Sequence, residues 1–216
     1  MTTKTIEPQA ALFDFDGVVM DTESQYSRIW STIGRKYHPE IEDFAMCIKG
    51  QTLRQILDTH FGDDAALQKT VVDELWDYER QMKYEYFPGV KEFIEALRAQ
   101  HIHTALVTSS DNEKMKNVYA AHPRIVELFD TIITAEDFTH SKPHPECFLL
   151  GAERLGVRPE RCVVFEDSTH GLKAGRAAGM RTVGVATTYP RETVALLSDC
   201  VIDGFTDVSV AQFFEV

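Results

Sequence analysis

Two carboxylates lie two residues apart near the start of the chain. Residues 12–17 read Leu-Phe-Asp-Phe-Asp-Gly, so Asp14 and Asp16 follow a short apolar run and precede a glycine. Alternate residues of a strand share a face, and a glycine lets the backbone turn. Two like charges at a strand end are unfavourable unless a cation or a raised pKa relieves them. The pair therefore predicts a polar site that holds further charged partners.

Polar residues follow three later apolar runs of the chain. Thr-Ser-Ser-Asp begins at Thr108, Ser-Lys-Pro-His-Pro contains Lys142, and Glu166 and Asp167 come directly after residues 162–165. Ligands of open α/β sheets bind beyond the carboxyl ends of the strands, so these groups are predicted to converge. Carboxylate oxygens suit Mg²⁺, which usually binds one or two carboxylates together with a substrate phosphate. One carboxylate can then attack phosphorus while a second moves the proton.

The apolar runs and the amphipathic stretches between them predict the elements that position these side chains. Six buried strands are predicted at residues 10–15, 103–108, 131–134, 162–165, 181–186 and 200–202. Helical periodicity predicts helices between the later strands, at residues 90–100, 112–121, 146–155 and 171–178. This alternation indicates the α/β class, with a doubly wound, Rossmann-like parallel sheet.

Residues 21–86 interrupt that alternation. They contain no convincing strand, and their pattern predicts helices near residues 22–37, 40–48, 52–60 and 64–85. A block of this length between the first two strands is too long for one crossover connection. We therefore predict an α/β core of residues 1–19 and 88–216, with an all-helical cap domain inserted at residues 20–87.

The composition narrows the classes of partner. The chain has 216 residues, of which 22 are basic and 34 acidic, and a net charge of −12. This acidic balance argues against nucleic acid or an anionic membrane as a partner. The sequence shows no membrane-spanning apolar stretch, no apolar signal region and no CxxC pair among its four cysteines. We expect a cytoplasmic protein with reduced thiols and a small-molecule substrate. A monomer is favoured, although the sequence does not fix the oligomeric state.

The four motifs, in this order, resemble those of the haloacid dehalogenase superfamily, in its phosphatase and phosphomutase branch. They read Asp14-Phe-Asp16-Gly-Val, Val107-Thr108-Ser109, Lys142-Pro-His-Pro and Glu166-Asp167-Ser168. The resemblance spans the whole chain, because the helical insertion is similar to the cap of the β-phosphoglucomutase-like subgroup.

The resemblance implies a role for each motif residue. Asp14 would be the nucleophile that becomes an aspartyl phosphate, and Asp16 would be the general acid and base. Thr108 would hold the phosphoryl group, and Lys142 would pair with both Asp14 and the phosphate. The implied Mg²⁺ ligands are Asp14, the backbone carbonyl of Asp16, Asp167, and Glu166 either directly or through a water.

Residues 48–54 resemble the substrate-specificity loop of this subgroup, which faces the core site. Lys49 or Arg54 would bind a distal anionic or hydroxylated part of the substrate. The further candidate substrate contacts are Glu23, Gly50, Ser109, Ser110 and Asn112. The sugar phosphomutases of the subgroup carry a histidine where this chain has Tyr26, and they space the lysine and arginine of this loop differently.

These departures favour hydrolysis over phosphoryl transfer to a second sugar. We predict a Mg²⁺-dependent phosphatase of a small phosphorylated metabolite, with a sugar phosphate as the first candidate. A β-phosphoglucomutase and an inorganic pyrophosphatase are the alternatives. A phospho-receiver signalling module also uses clustered acids, a hydroxyl and a lysine, but receivers have no helical insertion after their first strand.

Overall fold

A six-stranded sheet lies at the centre of the computed structural model, which describes residues 7–214. All neighbouring strands are parallel, and their order is β3-β2-β1-β4-β5-β6. The strands are β1 Ala10–Phe13, β2 His103–Val107, β3 Thr131–Ile133, β4 Cys162–Glu166, β5 Arg181–Val185 and β6 Cys200–Ile202. The strand order reverses at β1, so the carboxyl end of β1 lies at the point where α/β sheets open a crevice for a ligand.

Four helices follow β1 in the chain, and we call residues 23–79 the cap. The helices are α1 Glu23–Tyr37, α2 Phe44–Cys47, α3 Leu53–His60 and α4 Ala65–Glu79. They pack around an apolar cluster of their own, in which Trp30, Phe44 and Leu75 are buried. Because this cluster is separate from those of the sheet, the cap buries its own apolar surface.

Both faces of the sheet are covered, which explains why most residues of the central strands are buried. All four residues of β1 are buried. On one face the Phe13 ring stacks on Phe165 with ring centroids 4.7 Å apart, and on the other Leu12 packs in a cluster with Phe148. The later helices are α5 Val90–Ala99, α6 Asn112–Ala121, α7 Glu146–Leu155, α8 Thr169–Ala177 and α9 Arg191–Ala195.

The predicted and observed elements differ most inside the cap. The sequence pattern predicts a helix at residues 64–85, whereas α4 ends at Glu79. The residues beyond α4 bond instead to the segment that follows β1: the Asp21 N–H donates to the Glu85 carbonyl at 2.8 Å, and the Phe87 N–H to the Val19 carbonyl at 3.1 Å. These tertiary hydrogen bonds replace helical ones. The other predicted elements begin and end within two residues of prediction, except α2, which is a single turn. The short helix at residues 191–195 was not predicted.

The part of the chain that the structure describes contains neither a membrane-spanning helix nor a disulfide bond. None of the helices within residues 7–214 has the length and apolar character that crossing a bilayer requires. Cys47, Cys147, Cys162 and Cys200 are all free thiols.

Candidate active site

The carboxyl ends of the strands bring the predicted motifs together around one cavity. Asp14 and Asp16 follow β1, Glu166 ends β4 and Asp167 comes next, while Lys142 lies in the loop before α7. All five side chains line one cavity, which extends into the cap.

Lys142 lies at the centre of the acidic cluster and is only 1% exposed. Its Nζ donates hydrogen bonds to Asp14 Oδ1 at 2.6 Å, to Glu166 Oε1 at 2.9 Å and to the Val107 carbonyl at 3.3 Å. Burial alone would lower the pKa of Lys142, but Asp14 and Glu166 together raise it above its ordinary value. Lys142 is therefore a charged group held against two carboxylates.

Three carboxylates in this cavity could hold a metal ion. Asp14, Glu166 and Asp167 each offer an oxygen within 4.8 Å of the others. Burial raises the pKa of Asp14 to about 7, even though Lys142 opposes that rise, and it also raises the pKa of Asp167 well above its usual range. The Asp167 Oδ2 atom is buried and has no hydrogen-bond partner among the described residues. Three oxygen donors with one lysine between them fit a hard divalent cation such as Mg²⁺.

Gly17 is required by the close approach of Asp167. Its φ angle is +80°, which glycine adopts far more readily than other residues. A Cβ atom on residue 17 would lie 2.1 Å from Asp167 Oδ2. The glycine that follows the two acids therefore makes room for Asp167, which comes directly after β4.

The Asp16 side chain is held by a different set of groups. Lys114 Nζ lies 2.5 Å from both carboxylate oxygens, Ser110 Oγ donates to Oδ2 at 2.9 Å, and the Thr22 hydroxyl donates to Oδ1. The carboxylate of Asp16 is thus not part of the Asp14 cluster, and its backbone carbonyl as a metal ligand stays a prediction.

Lys114 is a residue that the sequence analysis missed. It is buried in the first turn of α6, next to Asp16. A lysine there opposes the helix dipole, which favours acids at an N-terminus. This unfavourable placement is a signal in the sequence, because it indicates that Lys114 has a charged partner elsewhere.

Glu79 is the second residue that was missed, and it lies where α4 meets Lys114. The Tyr26 hydroxyl donates to Glu79 Oε1 at 2.6 Å, and Lys114 Nζ lies 4.2 Å from the centre of the Tyr26 ring. Burial raises the pKa of Glu79 to about 7, with Lys114 opposing that rise. An acid as the last residue of a helix also opposes the dipole, so the same kind of signal was present here.

Residues 48–54, which we call the cap loop and which are predicted to face the core site, do contact it. The Gly50 carbonyl accepts a hydrogen bond from Ser109 Oγ at 3.4 Å, and the Lys49 carbonyl accepts one from His170 Nδ1 at 2.9 Å. Gly50 has a φ angle of +80°, and a Cβ there would lie 3.1 Å from the His170 Cβ. The Lys49 ammonium forms an ion pair with Glu23, so its charge already has a partner. Both side chains line the cavity.

Three predicted substrate-site residues are not in the cavity lining. The predicted substrate contact by Arg54 is the one that differs most from the structure. Its side chain is 91% exposed, and its Nε lies 3.8 Å from Asp58 Oδ2. Because α3 buries Ile56 in the cap, the Arg54 face of the helix is turned to solvent.

Asn112 and Thr108 are occupied by contacts within the core. The Asn112 side chain accepts a hydrogen bond from Thr134 Oγ1 at 3.2 Å. Thr108 is buried, and its hydroxyl oxygen accepts from the Ser110 N–H at 3.0 Å. Ser109 and Ser110 themselves line the cavity. The predicted phosphoryl-holding role of Thr108 stays a prediction.

Comparison with known proteins identifies the family. The sequence profile described as haloacid dehalogenase-like hydrolase matches residues 11–185. The chain belongs to this family. Membership confirms the family that the four motifs resemble, together with the predicted α/β fold.

Several relatives of the chain are named as phosphatases. The chain is 32% identical over 187 residues to a phosphorylated carbohydrates phosphatase of Thermotoga maritima, across 81% of this chain and 83% of the relative. It is 29% identical over 182 residues to the fructose-1-phosphate phosphatase YqaB of Escherichia coli, across 81% of this chain and 94% of the relative. The crystal structure of a β-phosphoglucomutase from Clostridium difficile superposes with a TM-score of 0.80 at 27% identity, covering 95% of each chain. These likenesses confirm a phosphatase enzyme of this family, with a phosphomutase as the second candidate.

Proposed function

We propose that this phosphatase hydrolyses a small phosphorylated carbohydrate through a phosphoenzyme on Asp14, with Mg²⁺ as cofactor. The observation that carries the proposal is the 2.6 Å contact between the Lys142 ammonium and Asp14 inside the cavity. Relatives named for phosphorylated carbohydrates and for fructose 1-phosphate support the substrate class.

In the first step, a carboxylate oxygen of Asp14 attacks the phosphorus of the ester. The new bond joins Asp14 to phosphorus, and the bond from phosphorus to the alcohol oxygen breaks. The electron pair of that bond stays on the leaving oxygen, which takes a proton from Asp16. The Lys142 ammonium offsets negative charge on the transferring oxygens, because it already lies against the attacking carboxylate.

In the second step, a water oxygen attacks the same phosphorus. Asp16, now a carboxylate, takes a proton from this water, and the bond from phosphorus to Asp14 breaks. Inorganic phosphate leaves and the Asp14 carboxylate is restored. Ser110 and Lys114 position Asp16 for both proton transfers, since they bind its two carboxylate oxygens.

Asp14, Glu166 and Asp167 would hold the Mg²⁺ ion, because their oxygens cluster and the buried Asp167 Oδ2 atom lacks a partner among the described residues. When bound, the ion supplies positive charge that favours ionised carboxylates and offsets the charge of the phosphate. Removal of the metal with a chelator is expected to stop turnover.

The experiment is a phosphate-release assay over a panel of phosphorylated carbohydrates and pyrophosphate, with and without Mg²⁺. The Asp14→Asn variant is nearly isosteric, and we expect it to lose about a thousandfold or more in kcat because an amide cannot act as the nucleophile. Asp63→Asn, on an exposed cap residue, is the matched control. Activity above a few per cent in Asp14→Asn would contradict the assigned nucleophile.

A phosphomutase is the second candidate, favoured by the likeness to the β-phosphoglucomutase structure. Position 26 holds a tyrosine instead of a histidine, so no imidazole is available there for proton transfer. The Tyr26 hydroxyl donates its hydrogen bond to Glu79. The test supplies β-glucose 1-phosphate with a trace of glucose 1,6-bisphosphate. Fast formation of glucose 6-phosphate with little inorganic phosphate would contradict the proposed hydrolysis and assign the mutase reaction instead.

A further inference from the structure

Part of the cavity is walled by cap helices rather than by the strand ends. Five of the residues that line this part lie on α1, α3 and α4, and we call them the cap pocket: Tyr26, Trp30, Ile56, Leu75 and Glu79. Trp30, Ile56 and Leu75 belong to the apolar cluster of the cap. The cap pocket is therefore mostly apolar and contains one carboxyl group.

The Glu79 side chain is only partly satisfied. Glu79 is 3% exposed, and its Oε1 atom accepts the hydrogen bond from the Tyr26 hydroxyl. Its Oε2 atom is buried and has no hydrogen-bond partner among the described residues. An unpaired buried polar atom costs about 1–3 kcal/mol. The Glu79 side chain lines the same cavity that contains Asp14, so a bound molecule can supply the missing partner.

Three polar groups near the Glu79 side chain already bond other atoms than Oε2. The Lys114 ammonium contacts both oxygens of Asp16 at 2.5 Å. The Tyr84 hydroxyl donates to the backbone carbonyl of Glu79 at 3.0 Å, and the Tyr26 hydroxyl already bonds Oε1. None of these three groups reaches Oε2, so its partner is expected to come from the substrate.

We propose that Glu79 is a specificity-determining residue whose Oε2 atom hydrogen-bonds a hydroxyl in the alcohol part of the phosphate ester. The inference rests on the proposed function and deepens it. Trp30, Ile56 and Leu75 would contact the C–H groups of the same alcohol. Apolar walls with one placed polar group are typical of sites that select a small molecule by orientation. The chemical class is a polyhydroxylated alcohol that carries a phosphate.

A site built to bond a hydroxyl discriminates strongly against an analogue that lacks it. The analogue leaves the buried oxygen unpaired, and such sites reject it by factors that reach about 10⁴–10⁵. An apolar pocket without the carboxyl group would discriminate far less, because a missing hydroxyl would cost it nothing.

The experiment compares two esters of equal length, sorbitol 6-phosphate and n-hexyl phosphate. We expect the wild-type ratio of their kcat/KM values to favour sorbitol 6-phosphate by about a hundredfold or more. Glu79→Gln keeps an oxygen for Tyr26 and replaces Oε2 with an amide nitrogen, which cannot accept a hydrogen bond. We expect it to reduce that ratio by about tenfold or more.

Glu74→Gln is the matched control, because Glu74 lies on the same helix but bonds Lys36 and Tyr37 outside the cavity. Its ratio should stay within about twofold of wild type. If circular dichroism shows that Glu79→Gln is unfolded, Glu79→Asp replaces it, since a shorter side chain withdraws the oxygen and keeps the charge.

The outcomes separate this inference from the proposed function. Release of phosphate with the wild-type ratio retained in a folded Glu79 variant overturns the role of Glu79 and leaves the phosphatase in place. A wild-type ratio near one does the same. No release from these esters, from the wider panel or from pyrophosphate overturns the phosphatase, and this inference with it.

Discussion

The strand-end cluster, which consists of Asp14, Lys142, Glu166 and Asp167, and the cap pocket around Glu79 both contain a buried acid, but the two acids have different partners. Both bury an acid whose pKa is raised to about 7 by burial. Asp14 has a lysine in contact at 2.6 Å, whereas Glu79 has only the Tyr26 hydroxyl. The strand ends therefore prepare a charged group for chemistry, while the cap leaves an acceptor free to select what enters.

The largest difference is expected between variants of the two buried lysines. Lys142→Met removes the cation that contacts the nucleophile, and we expect kcat to fall about 100- to 1,000-fold. Lys114→Met removes the contacts to Asp16 and to the Tyr26 ring but none to Asp14, so about a 10- to 100-fold loss through misplacement is expected. Phosphate release at saturating substrate measures both losses.

Lys69→Met serves as the control for these two variants, because Lys69 is an exposed lysine of the cap. Circular dichroism must show that each variant is folded. An equal loss of kcat in Lys142→Met and Lys114→Met would remove the distinction between the two regions.

A smaller effect is expected in the dependence of stability on pH. The folded pKa of Glu79, about 7, lies above its ordinary value of 4.5. Its contribution to stability is therefore full below about pH 4.5 and is lost as pH rises through about 7. The stability of wild type relative to Glu79→Gln should fall by roughly 2–3 kcal/mol between about pH 4.5 and pH 8.

Urea unfolding of both proteins across that range measures this difference. Glu74→Gln is again the control, because the pKa of Glu74 is lowered by Lys36. Its contribution is lost only as pH falls below its ordinary range, so its difference from wild type should stay flat above about pH 5. If the difference in the free energy of unfolding between wild type and Glu79→Gln did not change with pH, burial would not raise the pKa of the Glu79 carboxyl.

The smallest effect is expected at Arg54. Its exposed side chain makes one long ion pair with Asp58, and such pairs contribute about 0–1 kcal/mol. Arg54→Ala should leave the ranking of substrates by KM unchanged and the free energy of unfolding within about 0.5 kcal/mol. A changed ranking would return Arg54 to the substrate site, and with it the sequence prediction.

The strand-end cluster could be predicted from sequence because parallel strands deliver their carboxyl ends to one edge. Asp14 and Glu166 each follow an apolar run, and the topology alone brings them together. Lys142 was accessible through its motif, although it lies 128 residues from Asp14. In each case a local sequence pattern was enough to identify the residue, because the strand order then brings the residues together.

The cap pocket could not be predicted in the same way. Tyr26 and Glu79 are 53 residues apart on two helices, and helical periodicity does not specify which helices face each other. The rotation of α3 likewise decides that Ile56 is buried and Arg54 is exposed. What the sequence did carry was the unfavourable placement of Lys114 and Glu79 at helix ends, which indicates that tertiary contacts hold them there.

The cap loop rests on the core through a few neutral hydrogen bonds. They join the Gly50 carbonyl to Ser109, the Lys49 carbonyl to His170, and Thr52 to Ser141 at 2.9 Å. Each such bond has a net worth of about 0.5–1.5 kcal/mol, so breaking all three costs about 1.5–4.5 kcal/mol. An open form that breaks only these bonds would make up on the order of 0.05–8% of molecules. We expect such opening to take roughly microseconds to milliseconds and to let substrate enter and phosphate leave.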